Sequence, residues 1–292
     1  MSKAVGVIGL GIMGSAMSAN LVKAGFAVQG YDVLAARRDD LKKAGGSAVS
    51  SLSGIEAPVV ITSLPSAEAL HAVAGEMTAK CIVVETSTLP ISDKTKAFEV
   101  LARKGITLLD CPLSGTGAQA RTKDLSVYGS GDQAAFEKTK PILEGFSRAH
   151  YYLGEFGNGS KMKYVANLLV AIHNVAAAEA FVLGMKAGLD PETIYKVVGD
   201  GAGTSRMFQV RGPQMVAGRY DEAAMKVEVW QKDMKIIGEF AAKLGVPTPL
   251  FSASGPIYNA AMAQGFAQHD TAAVCAVIEK MARVRRQRKA SR

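Results

Sequence analysis

The stretch that decides the fold is Val5-Gly6-Val7-Ile8-Gly9-Leu10-Gly11-Ile12-Met13-Gly14. An apolar run typical of a buried strand leads directly into a GxGxxG spacing, and a helical pattern follows. Gly9 permits a tight turn, Gly11 lets the backbone approach a pyrophosphate, and Gly14 lets the helix pack closely on the strand. A dinucleotide phosphate at this helix N-terminus would contact the turn. The predicted cofactor-binding residues here are Gly9, Leu10, Gly11, Ile12, Met13 and Gly14.

A carboxylate follows the second predicted strand, where a dinucleotide-binding unit requires one. Asp32 lies about 18 residues after Gly14, near the usual ~20. Its side chain can accept hydrogen bonds from an adenosine ribose and would repel a 2′-phosphate, which favours NAD over NADP. Arg37 and Arg38 follow one helical turn later and could bind a 2′-phosphate, so the sequence leaves NADP open as a second cofactor.

Short β-branched runs alternate with amphipathic stretches up to about residue 155. The predicted strands are Ala4 to Ile8, Ala27 to Tyr31, Val59 to Thr62, Ile82 to Glu85, Ile106 to Asp110, Leu125 to Tyr128 and His150 to Leu153. The predicted helices between them are Ile12 to Lys23, Ala35 to Ala44, Ala67 to Glu76, Ile91 to Lys104 and Gln133 to Phe146. This alternation predicts a parallel sheet with helices on both faces, the doubly wound Rossmann fold.

Strand patterns stop after about Gly157, and helical patterns fill the rest of the chain. They cover Lys161 to Ala187, Pro191 to Val198, Phe208 to Val216, Val227 to Leu244, Ser252 to Gln264 and Thr271 to Arg285. We therefore predict an α/β protein with an N-terminal Rossmann domain in residues 1–160. A long helix joins it to an all-helical domain in residues 161–292.

The composition is that of a globular protein with a substantial core. The chain has 292 residues, 48% hydrophobic and 21% charged, which excludes disordered, collagen-like and disulfide-scaffold classes. Two domains are expected at this length, with roughly 100–200 residues in each. Cys81, Cys111 and Cys275 are odd in number and lack metal-ligand spacing. We predict no metal site and a reducing, cytoplasmic location.

The net charge of +8 comes largely from the C-terminus. Six basic residues lie there: Arg283, Arg285, Arg286, Arg288, Lys289 and Arg292. Without them the chain has 28 basic and 26 acidic residues and is nearly neutral. We interpret this tail as a solvated terminus and expect no nucleic-acid partner, with a nucleic-acid-binding tail as the alternative.

The stretch from Val165 to Met185 is apolar enough to suggest a membrane span, but it contains polar and charged side chains. Asn167, Asn174 and Glu179 would be costly in lipid. We therefore predict a buried helix and no membrane partner.

Polar or turn-forming residues follow two further predicted strands. Leu64-Pro65 comes after the strand at Val59, and Thr86-Ser87-Thr88 comes after the strand at Ile82. Ligands bind at the carboxyl edge of open α/β sheets, so Leu64, Pro65, Ser87 and Thr88 are predicted to contact the cofactor. Ordinary turn chemistry is the alternative.

A polar stripe runs along the long helix. At about 100° per residue, Lys163, Asn167 and Asn174 lie on one side, whereas Lys161 points to the opposite side. A lysine in a partly desolvated cleft has a lowered pKa and suits proton transfer, which makes Lys163 the candidate and Lys161 a surface residue. The alternative is that Lys163 extends into solvent.

The segment from Asp110 to Gly117 is rich in hydroxyls and glycine and follows another strand end. Such a loop can present N–H and hydroxyl groups to a carboxylate, or it can be a plain glycine-rich loop. Cys111 is not favoured as a nucleophile, because no base is adjacent and a proline follows it.

Four motifs in order and spacing resemble those of the β-hydroxyacid dehydrogenase family, over nearly the whole chain before the tail. They are Gly9 to Gly14 with Asn20-Leu21, Asp110 to Gly115, Gly157-Asn158-Gly159 with Lys163 and Asn167, and Lys232-Asp233. The stretch Gly201 to Arg206 most resembles the threonate-type branch. Two departures, Ala166 and the Ser-Gly-Thr loop, leave the substrate open.

The resemblance implies the roles of the remaining site residues. Lys163 would be the proton donor and acceptor, Asn167 would orient the substrate, and Lys232 would close the site near the nicotinamide. The substrate carboxylate would be held by Ser114, Gly115 and Thr116. Arg206 could add a bidentate contact to it, or it could be a surface arginine.

These residues together predict a cytoplasmic enzyme that moves hydride between NAD(P) and a small β-hydroxyacid. The resemblance implies a homodimer or homotetramer. Two alternatives are weighed: a reductase of imines or other small carbonyls, whose relatives generally lack the lysine, and a non-catalytic scaffold with a nucleic-acid-binding tail.

Overall fold

The computed structural model describes residues 3–286. The chain divides into two compact units, Met1–Lys163 and Tyr164–Arg292. The first unit combines strands with helices, and the described part of the second unit is built from helices.

A six-stranded parallel sheet forms the centre of the first unit. Its strands are β1 (Ala4–Ile8), β2 (Ala27–Tyr31), β3 (Ser47–Ala48), β4 (Val59–Thr62), β5 (Ile82–Glu85) and β6 (Thr107–Asp110). Their order is β3-β2-β1-β4-β5-β6, so the direction of winding reverses between β1 and β4. This is the predicted doubly wound arrangement, and the glycine turn follows β1 at the switch point where such sheets bind ligands.

Helices cover both faces of this sheet. They are α1 (Ile12–Lys23), α2 (Ala35–Lys43), α3 (Ala67–Glu76), α4 (Ile91–Arg103), α5 (Gly117–Arg121) and α6 (Gln133–Phe146). Successive strand side chains point to opposite faces: Val7 joins a core that includes residues of α1 and α6, whereas Ile8 joins one that includes residues of α3 and α4. Burial on both faces explains why the strands are continuously apolar.

A second, three-stranded sheet contains β7 (Leu113–Ser114), β8 (Ser126–Gly129) and β9 (Ala149–Tyr152). β7 is antiparallel to β8, and β8 is parallel to β9. A backbone bridge between Asp110 and Ser130 connects this sheet to the first one.

The long helix α7 (Asn158–Lys186) begins in the first unit and continues into the second. The other helices are α8 (Pro191–Asp200), α9 (Arg206–Ala217), α10 (Val227–Lys243), α11 (Pro249–Ala263) and α12 (Val274–Met281). A buried ion pair between Arg211 and Asp270 stabilises the second unit, and Asp270 also accepts backbone hydrogen bonds from Ala224, Met225 and Ala272.

By length and apolar composition alone, α7 could cross a membrane. One of its polar side chains, Asn174, is bound inside the second unit, however. Asn174 donates hydrogen bonds to the Tyr258 hydroxyl at 3.1 Å and to the Thr271 carbonyl at 2.9 Å. The part of the polar stripe at Asn174 therefore binds α7 to other segments of the second unit.

The fold class is confirmed, and three local predictions need correction. The loop predicted over Asp110 to Gly117 contains the short strand β7, and its last residue begins the short helix α5, which the sequence pattern did not predict. The last helix ends at Met281 instead of reaching Arg285, because Arg283 has a positive φ of 52° that interrupts helical geometry.

The basic tail is also not simply solvated. Arg286 donates to the carbonyls of Met215 and Val216 at 2.6 and 2.8 Å and pairs with Glu279 at 2.5 Å. Three further basic residues of the tail, Arg288, Lys289 and Arg292, lie outside the described residues.

Candidate functional site

The carboxyl ends of four parallel strands are in register. Ile8 of β1 lies opposite Thr62 of β4, Thr62 lies opposite Glu85 of β5, and Glu85 lies opposite Asp110 of β6. The loops that leave these strands consequently start at one edge of the sheet. These loops and the elements that directly follow them include Gly9–Gly14, Leu64-Pro65, Ser87-Thr88 and Ser114–Thr116.

Two glycines of the first loop are required by the protein's own packing. Gly9 has a φ of +88°, and a Cβ there would lie 2.2 Å from the Ser63 carbonyl oxygen. A Cβ on Gly14 would lie 1.9 Å from the Gly9 carbonyl oxygen. Both distances are far below van der Waals contact, so any side chain would force the backbone apart.

Gly11 is different, because the protein's packing does not require a glycine there. Its φ is −70°. A Cβ would meet only Nη1 of Arg37, at 3.7 Å, which is an ordinary contact. Gly11 is also the N-cap of α1, where backbone N–H groups of the first turn point outward. The missing side chain at Gly11 fits a phosphate group that approaches this backbone closely.

The Asp32 carboxylate is bound to the same loop. Its Oδ2 accepts a hydrogen bond from the Leu10 amide at 2.8 Å, and its Oδ1 accepts one from the Leu34 amide at 2.9 Å. Nη1 of Arg37 lies 3.2 Å from Oδ2 and partly offsets the negative charge. Asp32 thus braces the glycine turn against the end of β2, a function that the sequence analysis did not anticipate.

The loops after β4 and β5 are linked through Ser87. Its Oγ accepts a hydrogen bond from the Leu64 amide at 2.8 Å, and its own amide donates to Glu85 Oε1 at 2.9 Å. Pro65 is exposed and Thr88 is half-buried beside them. These contacts hold the two predicted cofactor-contacting loops in a defined arrangement.

The Ser114 to Thr116 segment connects β7 to α5. Gly115 has a φ of +133°, and a Cβ there would lie 2.6 Å from Leu125. Thr116 caps α5: its amide donates to Gln119 Oε1 at 3.0 Å, and its hydroxyl oxygen accepts from the Gln119 amide at 3.5 Å. The hydroxyl hydrogen of Thr116 is not used by that cap, so it can donate to a ligand.

Helix α1 holds this segment beside the glycine turn. Nδ2 of Asn20 donates to the Ala120 carbonyl at 2.7 Å, which joins α1 to α5. A Cβ on Gly117 would lie 2.5 Å from the Ile12 side chain, so the start of α5 packs directly on the start of α1. Asn20 belongs to the same motif as the Gly9 to Gly14 turn, but residue spacing does not predict its hydrogen bond to a residue 100 positions away.

The first turn of α7 packs against the sheets of the first unit. A Cβ on Gly159 would lie 2.2 Å from the Tyr128 carbonyl oxygen, so only glycine fits. Lys161 is exposed and donates to Asn158 Oδ1 at 2.9 Å, which confirms it as a surface residue. Lys163, two residues later, is 9% exposed, so most of its surface is covered by protein.

Asn167 lies four residues beyond Lys163 in α7 and contacts α10, another helix of the second unit. Its Nδ2 donates to Asp233 Oδ2 at 2.9 Å, and Lys232 Nζ lies 3.5 Å from Asp233 Oδ1. The structure thus brings the late Lys-Asp motif to the polar stripe of α7. Asp233 belongs to that motif, but the sequence does not predict it as a site residue, because its contact with Asn167 depends on how α10 packs on α7.

Two other residues considered from the sequence, Arg206 and Cys111, differ in their exposure. Arg206 is exposed at the start of α9. Burial raises the pKa of the Cys111 thiol well above its usual range, as expected of an inert cysteine. Among residues 3–286, no group of three or more His, Cys, Asp or Glu side chains could hold a metal ion.

Family models match both halves of the chain. Residues 4–154 match the model described as the NAD binding domain of 6-phosphogluconate dehydrogenase. Residues 157–278 match the model described as "NAD-binding of NADP-dependent 3-hydroxyisobutyrate dehydrogenase".

Individual relatives align over almost their full length. L-Threonate dehydrogenase of Cupriavidus necator is 32% identical, with 94% of this chain and 95% of the relative covered. 2-(Hydroxymethyl)glutarate dehydrogenase of Eubacterium barkeri is 30% identical, with 95% of each chain covered. The crystal structure of 3-hydroxyisobutyrate dehydrogenase from Salmonella typhimurium superimposes with a TM-score of 0.85 at 29% identity, covering 94% of this chain and 99% of that chain.

The contrast between Gly11 and Gly14 generates a test. Gly11→Ala should lower the free energy of unfolding by less than about 1 kcal/mol, since its new Cβ would meet only Arg37 Nη1, at an ordinary contact distance of 3.7 Å. It should nevertheless weaken NADH binding at least ~10-fold by blocking close approach to the turn. Gly14→Ala should impair both properties. Fluorescence titration with NADH and urea denaturation measure the two quantities, and unchanged NADH affinity in Gly11→Ala would contradict the assignment of the turn.

Proposed function

The chain belongs to the β-hydroxyacid dehydrogenase family and is an NAD(P)-dependent oxidoreductase of a small hydroxyacid, and we propose that Lys163 is its general acid and base. The observation that carries this proposal is the burial of Lys163, 9% exposed, on the helix that also bears Asn167. A general acid and base must be held in one place beside the reacting hydroxyl, and a buried side chain on a helix meets that requirement.

The proposed chemistry assigns one proton to the Lys163 side chain. When bound, NAD(P) supplies the acceptor or donor of hydride. In oxidation, neutral Nζ of Lys163 takes the hydroxyl proton as the carbon–hydrogen bond breaks and the carbonyl forms. In reduction, the Lys163 ammonium returns a proton to the carbonyl oxygen.

Other residues hold the two reactants. We assign the cofactor to residues 1–160, through Gly9 to Gly14, Asp32, Leu64, Pro65, Ser87, Thr88 and, from the helical half, Lys232. We assign the substrate carboxylate to Ser114, Gly115, Thr116 and Arg206. Asp233 fixes one N–H of the Asn167 amide at 2.9 Å, and this supports Asn167 as the residue that orients the substrate.

Replacing Lys163 tests the catalytic proposal. Lys163→Ala should lower kcat by ~10²-fold or more, the scale of general acid–base catalysis, with NADH affinity within about twofold of the parent. Lys161→Ala is the matched control, because Lys161 is exposed on the same turn. Near-normal turnover in Lys163→Ala, or equal losses in both variants, would show that Lys163 is not the acid and base.

NAD is the proposed preferred cofactor. We assign Asp32 to the adenosine ribose, where its carboxylate would repel a 2′-phosphate. Arg37, 3.2 Å from that carboxylate, weakens the repulsion without removing it. The substrate is proposed to be a small β-hydroxyacid such as 3-hydroxyisobutyrate, glycerate or threonate.

One assay addresses both cofactor and substrate. With a panel of these acids, kcat/KM should be higher with NAD than with NADP, measured by nicotinamide absorbance. Arg37→Ala should lower the NADP value ~10-fold, because Asp32 is then unopposed, with the NAD value nearly unchanged. Lys42→Ala, an exposed cation of the same helix, is the control. A higher kcat/KM with NADP in the parent enzyme would overturn the preference.

We further propose a cytoplasmic homodimer or homotetramer. Within the described chain, all three cysteines are buried and free of disulfides, which fits a reducing compartment. In the second unit, α7 has an exposed apolar row that includes Val165, Leu169 and Leu183, at 56%, 45% and 74% exposure. Such a row is typical of a face that another subunit covers.

Light scattering should therefore give the mass of a dimer or tetramer. Leu169→Glu with Leu183→Glu should shift the protein toward the monomer, since the added charges oppose burial of this row. Val197→Glu, at an exposed apolar position on α8, is the control. A monomeric parent protein would refute the assembly, and an unaltered mass in the double variant would refute the role of α7.

A further inference from the structure

A buried cluster of three charges lies between α4 and the ends of β5 and β6. Nζ of Lys94 is 2.5 Å from Glu85 Oε2 and 2.8 Å from Asp110 Oδ1. All three side chains are 0–1% exposed. Burial alone would lower the pKa of Lys94, but attraction to Asp110 and Glu85 outweighs it and raises the pKa, so the amine stays charged.

The cluster contains two carboxylates and one ammonium, and its surplus negative charge lies at the start of α7. Asp110 Oδ2 accepts a hydrogen bond from the Ser160 amide at 2.7 Å, and Oδ1 accepts one from the Ser160 hydroxyl at 2.8 Å. A helix N-terminus carries a partial positive charge, so it stabilises this carboxylate. Lys94 thereby orients Asp110 toward Ser160.

A second contact secures the same turn. The Gly159 amide donates to Ser130 Oγ at 3.0 Å, and Ser130 Oγ lies 3.2 Å from the Asp110 carbonyl to which it donates. Two consecutive residues of α7, Gly159 and Ser160, are therefore held by side chains at the ends of two different sheets. Lys163 follows Ser160 by three residues, which is less than one helical turn.

A contribution to folding stability does not by itself explain why the protein buries these three charges. The desolvation of buried ion pairs commonly offsets their attraction, and apolar replacements of similar volume are often as stable or more so. What an ion cluster provides, and an apolar core does not, is a defined direction for each hydrogen bond.

We infer that Asp110, held by Lys94 and Glu85, is a positioning residue that fixes the first turn of α7 and thereby the place of the Lys163 amine. The inference rests on the proposed function of Lys163. It assigns to Ser160 and Asp110 an effect on the chemical step, because small displacements of a catalytic group reduce rates strongly.

The mildest test removes one hydroxyl. Ser160→Ala eliminates the bond to Asp110 Oδ1 and keeps the backbone bond to Oδ2. We expect kcat to fall ~10-fold with the dissociation constant of NADH within about twofold. Ser147→Ala is the matched control, since Ser147 is also buried and its Oγ donates to the Leu143 carbonyl at 2.7 Å, away from α7. It should lose comparable thermal stability but keep its kcat.

Asp110→Asn provides a second, stronger variant. An amide cannot accept from both the Ser160 amide and its hydroxyl while also pairing with Lys94, so kcat should fall further than in Ser160→Ala. Thermal unfolding and NADH titration on the same samples show whether the variant is folded. If Asp110→Asn does not fold, the comparison of Ser160→Ala with Ser147→Ala still tests the positioning role of Asp110.

The outcomes separate the two proposals. If Lys163→Ala retains turnover, the proposed function fails. If Lys163→Ala is inactive but Ser160→Ala keeps the kcat of Ser147→Ala, only the positioning role of Asp110 is overturned. A loss of NADH affinity in Ser160→Ala, equal to its loss of kcat, would also overturn it.

Discussion

The buried carboxylate of Asp110 connects the main parts of the first unit. The backbone of Asp110 exchanges two hydrogen bonds with the backbone of Ser130, at 3.0 and 2.8 Å, and these bonds join the two sheets. Its side chain pairs with Lys94 of α4 and accepts two hydrogen bonds from Ser160 of α7. Burial removes this carboxylate from water, and the donors from Lys94 and Ser160 replace the lost hydration. The start of the helix that bears Lys163 is consequently defined by the end of a strand.

The glycine turn shows two different reasons for the same residue type. Gly9 and Gly14 are required because backbone atoms would meet any Cβ at 2.2 and 1.9 Å. At Gly11 a Cβ would meet only Arg37 Nη1, at 3.7 Å, so the protein's own packing does not require glycine there and a close-approaching ligand accounts for it better. The structure therefore separates residues that shape the turn from the residue that leaves room for the cofactor, a distinction that the GxGxxG spacing does not contain.

Helix α5 and the buried Lys94 were not predicted from the sequence, for two different reasons. Helix α5 had a readable signal, because Thr116 and Gln119 form the T-x-x-Q pattern of a capping box, but the surrounding glycines suggested a loop. Lys94 had no such signal. It lies in an amphipathic helix among Asp93 and Lys96, where a charged residue is normally solvated, and its partners come from separate strands.

The sequence by itself determined the features that depend on residues near one another in the chain: the strand and helix alternation, the glycine turn after β1, and the polar stripe of α7. These follow from periodicity and from backbone conformations that only certain residues adopt. Tertiary structure alone decided which polar groups are buried and what they bind, as with Asn20 on Ala120 and Asn167 on Asp233. The physical reason is that the cost of burying a polar group depends on partners from distant segments, which no local pattern specifies.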